Sequence, residues 1–270
     1  MKTILITGTS SGIGKETAIL FAAKGWNVVA TVRNHEQLTM FADITNISTY
    51  VLDVKDKDSI TSCVKQVIRD FERIDVLVNN AGIYTTDPLE IVPDERIEGI
   101  IDTNIKGVLF TTKTVLKHFR KNRSGMIVNI SSIAGRVTFP FQSIYHTSKW
   151  AIEGFSESLY YELQPLNIKV KIIEPGMVQT NLYNSITDIP IDSYPSEYQT
   201  PFRKWHSYLM KNFKNGYSPK SDAKTIYMAV NSNSSKLRNT SDFTTRLVFF
   251  LRSIFPLSVF QNIIKRLSLI

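Results

Sequence analysis

A tyrosine and a lysine four residues apart, Tyr145 and Lys149, could together perform acid–base chemistry. On a helix, residues at this spacing share one face, so the two side chains would lie side by side. A free tyrosine has a pKa of about 10, too high for efficient proton transfer at neutral pH. A nearby ammonium favours the phenolate and lowers that pKa toward the working range of a general acid–base. Tyr145 is therefore a candidate acid–base; the alternative is an ordinary helical pair with a buried ring and an exposed lysine.

A glycine-rich segment near the start of the chain is a candidate nucleotide site. It reads Thr7-Gly8-Thr9-Ser10-Ser11-Gly12-Ile13-Gly14 and directly follows a short apolar run. Glycines allow a tight turn and a close approach of the backbone to a pyrophosphate, which then rests on the N-terminus of the next helix. Loops use glycine freely, and the spacing G-x-x-x-G-x-G differs from the commoner G-x-G-x-x-G. The strand–turn–helix context nevertheless favours nucleotide binding.

The end of the second strand-like run indicates which nucleotide is bound. It reads Ala30-Thr31-Val32-Arg33-Asn34, without a carboxylate. NAD sites usually place an acidic residue here for the ribose 2′-hydroxyl, whereas an arginine suits the 2′-phosphate of NADP. Arg33 therefore predicts NADP(H), although a solvated loop charge is the alternative. In the next run, Asp53 and Val54 would lie beside the adenine.

The scaffold that positions these residues follows from the alternation of strand-like and helix-like segments between residue 3 and about 180. Short apolar runs rich in β-branched residues are typical of strands buried on both faces of a parallel sheet. They occur at 4–6, 27–30, 49–52, 76–78, 126–130 and 169–173, and the main helical stretches at 14–24, 59–71, 103–121 and 145–163. This order predicts an α/β fold with a doubly wound parallel sheet, which binds ligands at the carboxyl ends of its strands.

Six motifs in this order resemble those of the short-chain dehydrogenase/reductase family. Beyond the glycine turn, they are Asn79-Asn80-Ala81-Gly82, Asn104, Ser131-Ser132, Tyr145-x-x-x-Lys149, and Pro175-Gly176 with Thr180. The strand end at Ala30–Arg33 is similar to that of the 17β-hydroxysteroid dehydrogenases and related bacterial carbonyl reductases. The resemblance implies a single Rossmann-type domain with a sheet of about seven strands and helices on both faces, assembled as a homodimer or homotetramer.

The resemblance also implies roles for individual residues. The catalytic set would be Asn104, Ser132, Tyr145 and Lys149: Ser132 bonds the substrate oxygen, Lys149 also bonds the nicotinamide ribose, and Asn104 holds a water that links Lys149 to solvent. Ser132 matches better than Ser131 because its separation from Tyr145 is the usual one. The cofactor would contact the following residues: Gly8, Ser10, Ser11, Gly12, Ile13, Gly14, Arg33, Asp53, Val54, Asn80, Ala81, Gly82, Tyr145, Lys149, Pro175, Gly176, Val178 and Thr180.

Composition narrows the remaining possibilities. The 270 residues are 43% hydrophobic and 21% charged, which is ordinary for a globular chain. The net charge of +8 is spread among acidic residues, so nucleic-acid binding is not expected. The single cysteine, Cys63, excludes an intramolecular disulfide, no metal site is expected, and the absence of an export signal predicts a cytoplasmic enzyme.

We expect one domain, with the cofactor-binding and catalytic core at 1–180 and the substrate loop and C-terminal elements at 181–245. Residues 181–220 predict loops and short helices, and 231–242 an exposed loop. Aromatic and aliphatic residues around the predicted site suggest an apolar substrate pocket, unless they simply pack the loop: Tyr84, Phe139, Phe141, Leu182, Tyr183, Ile186, Ile189, Tyr194, Tyr198, Phe202, Trp205 and Tyr208.

The last segment, 246–270, mixes apolar and basic residues. Arg252 and Pro256 interrupt its apolar run, which is too short to span a membrane. It either covers the pocket or a subunit interface, or lies on an anionic membrane surface as an interfacial helix, giving peripheral membrane association.

The predicted function is NADP(H)-dependent reduction of a small hydrophobic ketone or aldehyde, or the reverse oxidation of an alcohol. The alternative from another class is a redox-sensing regulatory protein that binds NADP(H) without turnover. The complete set of Asn104, Ser132, Tyr145 and Lys149 favours the enzyme.

Overall fold

Seven parallel strands form one sheet within residues 1–182 and 189–267, the part of the chain that this computed structural model describes. The sheet order is β3-β2-β1-β4-β5-β6-β7. The strands are β1 (Thr3–Ile6), β2 (Asn27–Val32), β3 (Ile47–Val51), β4 (Val76–Asn79), β5 (Gly125–Ile130), β6 (Ile168–Ile173) and β7 (Arg238–Asn239). The predicted doubly wound α/β fold is confirmed.

Helices connect the strands and cover both faces of the sheet. They are α1 (Gly12–Ala23), α2 (Lys57–Phe71), α3 (Asp94–Ile100), α4 (Gly107–Asn122), α5 (Ser143–Leu163), α6 (Ser196–Lys214), α7 (Pro219–Asn231), α8 (Phe243–Ile254) and α9 (Leu257–Leu267). Between α3 and α4 the chain makes a π-helical turn, Ile101–Lys106. Polar side chains fix several helix starts; for example, Asp56 accepts a hydrogen bond from the N–H of Asp58 at the start of α2.

Alternate residues of each strand enter opposite cores. In β1, Ile4 and Ile6 pack with residues of α1 and α7, whereas Leu5 packs with residues of α2, α4 and α5. All three side chains are completely buried. This explains why the strands are continuous apolar runs: both faces of the sheet are covered.

The strand order reverses beside β1, because β2 lies on one side of it and β4 on the other. Ligand sites in such sheets lie at this reversal, beyond the carboxyl ends of the strands. The segments that leave β1 and β4 there are the glycine turn and Asn80–Gly82, so the topology brings two of the predicted motifs together.

Two expectations about the second half of the chain are wrong. The segment 181–220 contains a long helix, α6, of 19 residues, because Phe202, Trp205, Leu209 and Phe213 recur at helical spacing and are buried on one side. The expected exposed loop at 231–242 contains β7, which pairs with β6 and is half-buried. Arg238 of this strand forms ion pairs with Glu153 and Glu157 of α5.

Cys63 is buried on α2. Among the described helices, none is long and apolar enough to cross a bilayer. Residues 1–182 and 189–267 contain no cluster of His, Cys, Asp or Glu that could hold a metal ion.

Candidate active site

A cavity of about 470 Å³ opens at the carboxyl ends of the strands. Its walls come from the segments that follow β1 to β6, and they include almost every residue that the motifs predicted. The predicted residues that line it are Gly8, Ser10, Ser11, Gly12, Ile13, Arg33, Asp53, Val54, Asn80, Ala81, Gly82, Ser132, Tyr145, Lys149, Pro175, Gly176, Val178 and Thr180. The sequence motifs therefore converge on one site.

Two predicted residues, Gly14 and Asn104, lie behind the cavity wall. A Cβ at Gly14 would collide with the side chain of Asn80 and the carbonyl oxygen of Gly8. Gly14 thus permits α1 to pack against the loop after β4. Asn104 is buried in the π-helical turn.

Hydrogen bonds fasten the glycine turn to the loop after β4. The Thr7 hydroxyl accepts from the backbone N–H groups of Asn80 and Ala81, at 3.0 and 3.1 Å. In return, Nδ2 of Asn80 donates to the carbonyl oxygens of Thr7 and Gly8, at 2.9 and 2.8 Å. The turn therefore has a fixed shape, and two of its backbone carbonyls are already engaged with the protein.

Tyr145 lies buried between Ser132 and Tyr84. The side chain of Ser132 lies beside its hydroxyl, and its ring meets that of Tyr84 edge-on, with centroids 4.7 Å apart. Ser132 caps a short helical turn, because its Oγ accepts from the N–H of Ala134 at 3.1 Å. The serine is thus held in place beside the tyrosine. Ser131 also lines the cavity, and its hydroxyl has no hydrogen-bond partner in the described structure.

Lys149 reaches the same place from the next turn of α5. Its Nζ lies 5.7 Å from the centroid of the Tyr145 ring and donates to the carbonyl oxygen of Ile130 at 2.9 Å. Glu153 lies a further turn along α5, is also buried, and opposes the effect of burial on the Lys149 pKa.

The pKa values of Tyr145 and Lys149 differ from the expectation that Lys149 lowers the pKa of Tyr145. Burial raises the pKa of Tyr145 to about 12, and the hydrogen bond from Ser132 opposes this rise. Burial also lowers the pKa of Lys149 to about 8. Burial desolvates both side chains, and desolvation disfavours both charged forms.

The side chain of Asn104 is fully engaged with protein groups. Its Oδ1 accepts from the N–H of Ile83 at 2.9 Å, and its Nδ2 donates to the carbonyl of Ile83 and to Oγ of Ser148, at 2.9 and 3.1 Å. These bonds join the π-helical turn to the Tyr84 loop and to α5. The predicted water relay through Asn104 stays a prediction.

His146, beside Tyr145, has a structural position. It is buried, its Nε2 accepts from the N–H of Phe139 at 2.8 Å, and its Nδ1 lies 2.8 Å from the carbonyl of Ala134. Burial lowers its pKa. The imidazole thus holds the loop that follows Ser132.

The far end of the cavity carries positive charge. Arg33 is exposed and lines the cavity directly after β2, where no carboxylate stands. Asp53 lines the next strand end, and its Oδ1 accepts from the N–H of Lys55 at 2.9 Å. Three further residues that line this end were not predicted from the sequence: Asn34, Gln37 and Lys55. Their positions just after β2 and β3 could have identified them.

The shape of the glycine turn fits a dinucleotide. Gly8 has φ +69°, and a Cβ there would lie 2.8 Å from Cα of Ala81. A Cβ at Gly12, with φ +56°, would lie 3.1 Å from Cγ2 of Thr180 and would narrow the gap between the turn and the loop after β6. The missing side chains therefore leave a slot at the N-terminus of α1, where a pyrophosphate is stabilised.

Most of the predicted substrate-wall aromatics pack against one another. Phe202 and Trp205 of α6 are completely buried, and Nε1 of Trp205 donates to the Thr86 hydroxyl at 3.2 Å. The hydroxyl of Tyr194 donates to Asp87 at 2.5 Å. One apolar cluster contains Tyr84, Tyr145, Phe202, Trp205 and their partly buried neighbours Phe139, Phe141, Leu182, Ile189, Tyr198 and Tyr208.

Of the predicted wall residues, Leu182 lines the described cavity, and α6 mainly forms the layer behind it. Packing thus accounts for the buried aromatics of α6. Tyr183 and Ile186 lie outside the described residues.

The chain belongs to the short-chain dehydrogenase family. The sequence profile of this family, described as short chain dehydrogenase, matches residues 2–189. Its members are oxidoreductases that bind a nicotinamide cofactor.

Two relatives illustrate the range of similarity. The chain is 38% identical to the uncharacterized oxidoreductase YusZ of Bacillus subtilis (strain 168) over 277 aligned positions, which cover 98% of each chain. It is 36% identical to the 3-ketodihydrosphingosine reductase of Bacteroides thetaiotaomicron over 217 positions, which cover 80% of this chain and 79% of the relative.

Solved structures agree with the fold. ElxO with NADP bound superposes with a TM-score of 0.73 at 32% identity, covering 89% of this chain and 97% of that one. Other structures of the same fold hold NADH or NAD. The comparisons thus support a nicotinamide cofactor without selecting between its two forms.

Proposed function

We propose that this protein is an NADP(H)-dependent reductase of hydrophobic ketones or aldehydes, with Tyr145 as its acid. The observation that carries the proposal is the placement of Ser132, Tyr145 and Lys149 around one end of a cavity whose other end holds Arg33. The same residues would catalyse the reverse oxidation of an alcohol.

Each residue would have a distinct role in the reduction of a carbonyl group. A bound nicotinamide supplies or accepts the hydride. The Ser132 and Tyr145 hydroxyls both donate hydrogen bonds to the substrate oxygen, which becomes more negative as the carbonyl is reduced. Tyr145 then gives up its proton to that oxygen. The ammonium of Lys149 stabilises the phenolate that is left, since opposite charges close together favour ionisation.

A preference for NADP(H) is supported by charge at the far end of the cavity. The 2′-phosphate of NADP carries negative charge, which a guanidinium can bind through two parallel hydrogen bonds. Arg33 is exposed at the position after β2, and Lys55 adds a second cation to the lining. Asp53 adds one negative charge to this end, so Arg33 and Lys55 together leave its lining net positive.

A hydrophobic substrate is supported by the apolar residues beside Tyr145. Ile83, Val178 and Leu182 line the cavity at this end, and the ring of Tyr84 packs on Tyr145. The similarity to a 3-ketodihydrosphingosine reductase points the same way, because its name describes a ketone. We infer a carbonyl compound with an apolar body, and no metal takes part in this scheme.

The regulatory alternative has no feature of the described site in its favour. A protein that only senses NADP(H) has no need of an acid–base pair, whereas Tyr145 and Lys149 are both buried beside the cavity.

We also propose a single domain that forms homodimers or homotetramers. Exposed apolar residues on the outer sides of α4 and α5, Leu109 and Trp150, support an interface there.

The direct test is NADPH oxidation by the purified protein with a panel of hydrophobic ketones and aldehydes. Wild type, Tyr145→Phe and the matched control Tyr161→Phe are compared; Tyr161 lies on the same helix and is 64% exposed. We expect Tyr145→Phe to lose about 10²- to 10⁴-fold in rate while still binding NADPH, and Tyr161→Phe to match wild type. NADPH binding by the wild type with no turnover of any carbonyl would favour the regulatory alternative.

A further inference from the structure

Helix α8 presents a continuous apolar stripe to the outside of the protein. Phe243, Leu247, Phe250 and Ile254 recur every three or four residues, so they lie on one side of the helix. Their exposed fractions are 77%, 42%, 59% and 53%. A stripe of this kind normally faces a core, because burying each side chain is favourable by about 1.5–3 kcal/mol. Here it faces away from the protein.

The opposite side of α8 anchors the helix in this orientation. Thr245 and Phe249 are buried, and Phe249 packs with Ile133, Val137 and Phe260. The guanidinium of Arg136 lies 4.3 Å from the centroid of the Phe249 ring. Asp242 caps the helix by accepting from the N–H of Thr245 at 2.7 Å. The stripe therefore faces outward because the other side of the helix is fixed.

The apolar surface continues beyond the end of α8. Phe255, between the two helices, is 38% exposed, and Leu257 and Val259, in the first turn of α9, are 52% and 41% exposed. We call the seven exposed side chains from Phe243 to Val259 the C-terminal apolar face. Isolated exposed apolar residues are common, but a contiguous group of this size marks an interaction surface.

The charged residues within the segment that carries this face have one sign. Residues 243–267 contain four basic residues and no Asp or Glu: Arg246, Arg252, Lys265 and Arg266. This segment thus supplies half of the net charge of +8. An apolar stripe flanked by cations is the pattern of a helix that lies in the plane of an anionic membrane surface. A two-fold contact between identical copies would instead bring like charges together, which is unfavourable.

We propose that the C-terminal apolar face docks the protein peripherally on an anionic lipid bilayer. The aromatic and aliphatic side chains of α8 enter the boundary between headgroups and acyl chains, and basic residues of the segment such as Arg246 contact lipid phosphates. The proposal concerns membrane attachment alone and does not depend on the substrate or on the cofactor preference.

The test is flotation of the full-length protein with vesicles, combined with the double variant Leu247→Ser/Phe250→Ser. Vesicles of phosphatidylcholine alone are compared with vesicles of equal parts phosphatidylglycerol and phosphatidylcholine. Met228→Ser is the matched control, because Met228 is 62% exposed on α7, away from this face. We expect wild type and Met228→Ser to bind anionic vesicles, and the double variant to partition at least about tenfold more weakly.

A second pair of variants tests the charges. Arg246→Gln/Arg266→Gln should weaken binding to anionic vesicles by about tenfold or more, as should high salt. Lys220→Gln/Lys224→Gln, on α7, is the control and should bind as wild type does. Melting temperatures show that each variant is folded.

Three results would overturn the proposal. The first is no wild-type binding to either vesicle, and the second is equal binding of the stripe variant and the wild type. The third is a dimer in analytical ultracentrifugation that Leu247→Ser/Phe250→Ser dissociates while vesicle binding is unchanged; this would assign the face to a second copy of the chain.

Discussion

The ammonium of Lys149 is bound to the last residue of β5, because its Nζ donates to the carbonyl oxygen of Ile130 at 2.9 Å. The same strand end leads directly into Ser131 and Ser132. The lysine of α5 and the serine beside Tyr145 are therefore positioned by one short piece of backbone. A shift of α5 relative to β5 would disturb both contacts of the tyrosine together.

The pKa of Lys149 predicts the pH dependence of reduction. Burial lowers it from 10.5 to about 8, so the ammonium is lost as the pH rises through this value. The uncharged lysine stabilises the Tyr145 phenolate less well, and we expect kcat/KM for ketone reduction to fall above about pH 8. The measurement is a pH profile with saturating NADPH. Lys149→Arg stays charged throughout this range, so its falling limb should move to higher pH; an unchanged limb would contradict the assignment.

Arg33 should determine the cofactor preference. We expect Arg33→Ser to reduce kcat/KM with NADPH by about 10- to 100-fold, in line with about 1.5–3 kcal/mol for a hydrogen bond to a charged group. Kinetics with NADH should change little, since NADH lacks the 2′-phosphate. Arg120→Ser, an exposed arginine at the end of α4, serves as the control. Equal losses with both cofactors would show that Arg33 does not read the phosphate.

Gly8 and Gly25 form a matched pair for testing the glycine turn. Both have positive φ, +69° and +77°, but a Cβ at Gly8 meets Ala81 at 2.8 Å, whereas nothing lies within 4 Å of a Cβ at Gly25. Gly25→Ala should cost only the backbone strain, about 1–2 kcal/mol. Gly8→Ala should lower the free energy of unfolding in urea by more than Gly25→Ala does. It should also weaken NADPH binding, measured by fluorescence titration. Identical effects of the two substitutions would argue against the close approach.

The buried carboxyl of Glu174 predicts a pH dependence of stability. Burial and the nearby Glu153 carboxylate raise its pKa from 4.5 to about 7, although Arg136 opposes the rise. Between these values the native state holds a proton that the unfolded chain releases, so the free energy of unfolding falls as the pH rises through this window.

Replacing Glu174 by Gln removes this titration. Relative to wild type, Glu174→Gln should therefore gain stability between about pH 5 and pH 8, by at most about 3 kcal/mol. Urea unfolding at the two pH values measures the difference. Glu162→Gln, an exposed position on α5, should show no such trend. If Glu174→Gln instead loses stability relative to wild type as the pH rises, Glu174 acts mainly as an ion-pair partner.

The strands were readable from the sequence for a physical reason. Five of them, β1, β2, β4, β5 and β6, are largely buried and rich in apolar residues, whereas β3 is mostly half-buried. The segments that follow these strands carry the motif residues. The seventh, Arg238–Asn239, has no apolar run, and the ion pairs of Arg238 with distant residues of α5 help to hold it. Contacts of that kind leave no local signal.

Helix α6 was predictable in principle. Phe202, Trp205, Leu209 and Phe213 show its period, but intervening Pro, Tyr and charged residues resemble a loop. The pKa values of Tyr145 and Lys149 were a different case. Their direction depends on burial, which tertiary contacts such as those within the cluster of Tyr84, Tyr145 and Phe213 create only in the folded chain.

The way in which α6 is attached has a consequence for how new specificities arise. The chain leaves the sheet after β6, forms α6 and α7, and returns to the same sheet edge at β7. Both ends of this excursion are thus held by strand pairing, while Trp205 of α6 and Tyr194 just before the helix contact the Tyr84–Asp87 loop through their side chains. Exchanging residues of α6 can therefore reshape the space above Tyr145 without moving the strand register. We therefore expect substitutions in α6 to change the substrate range with little effect on the chemistry proposed for Tyr145, so that selection can act on the first while leaving the second intact.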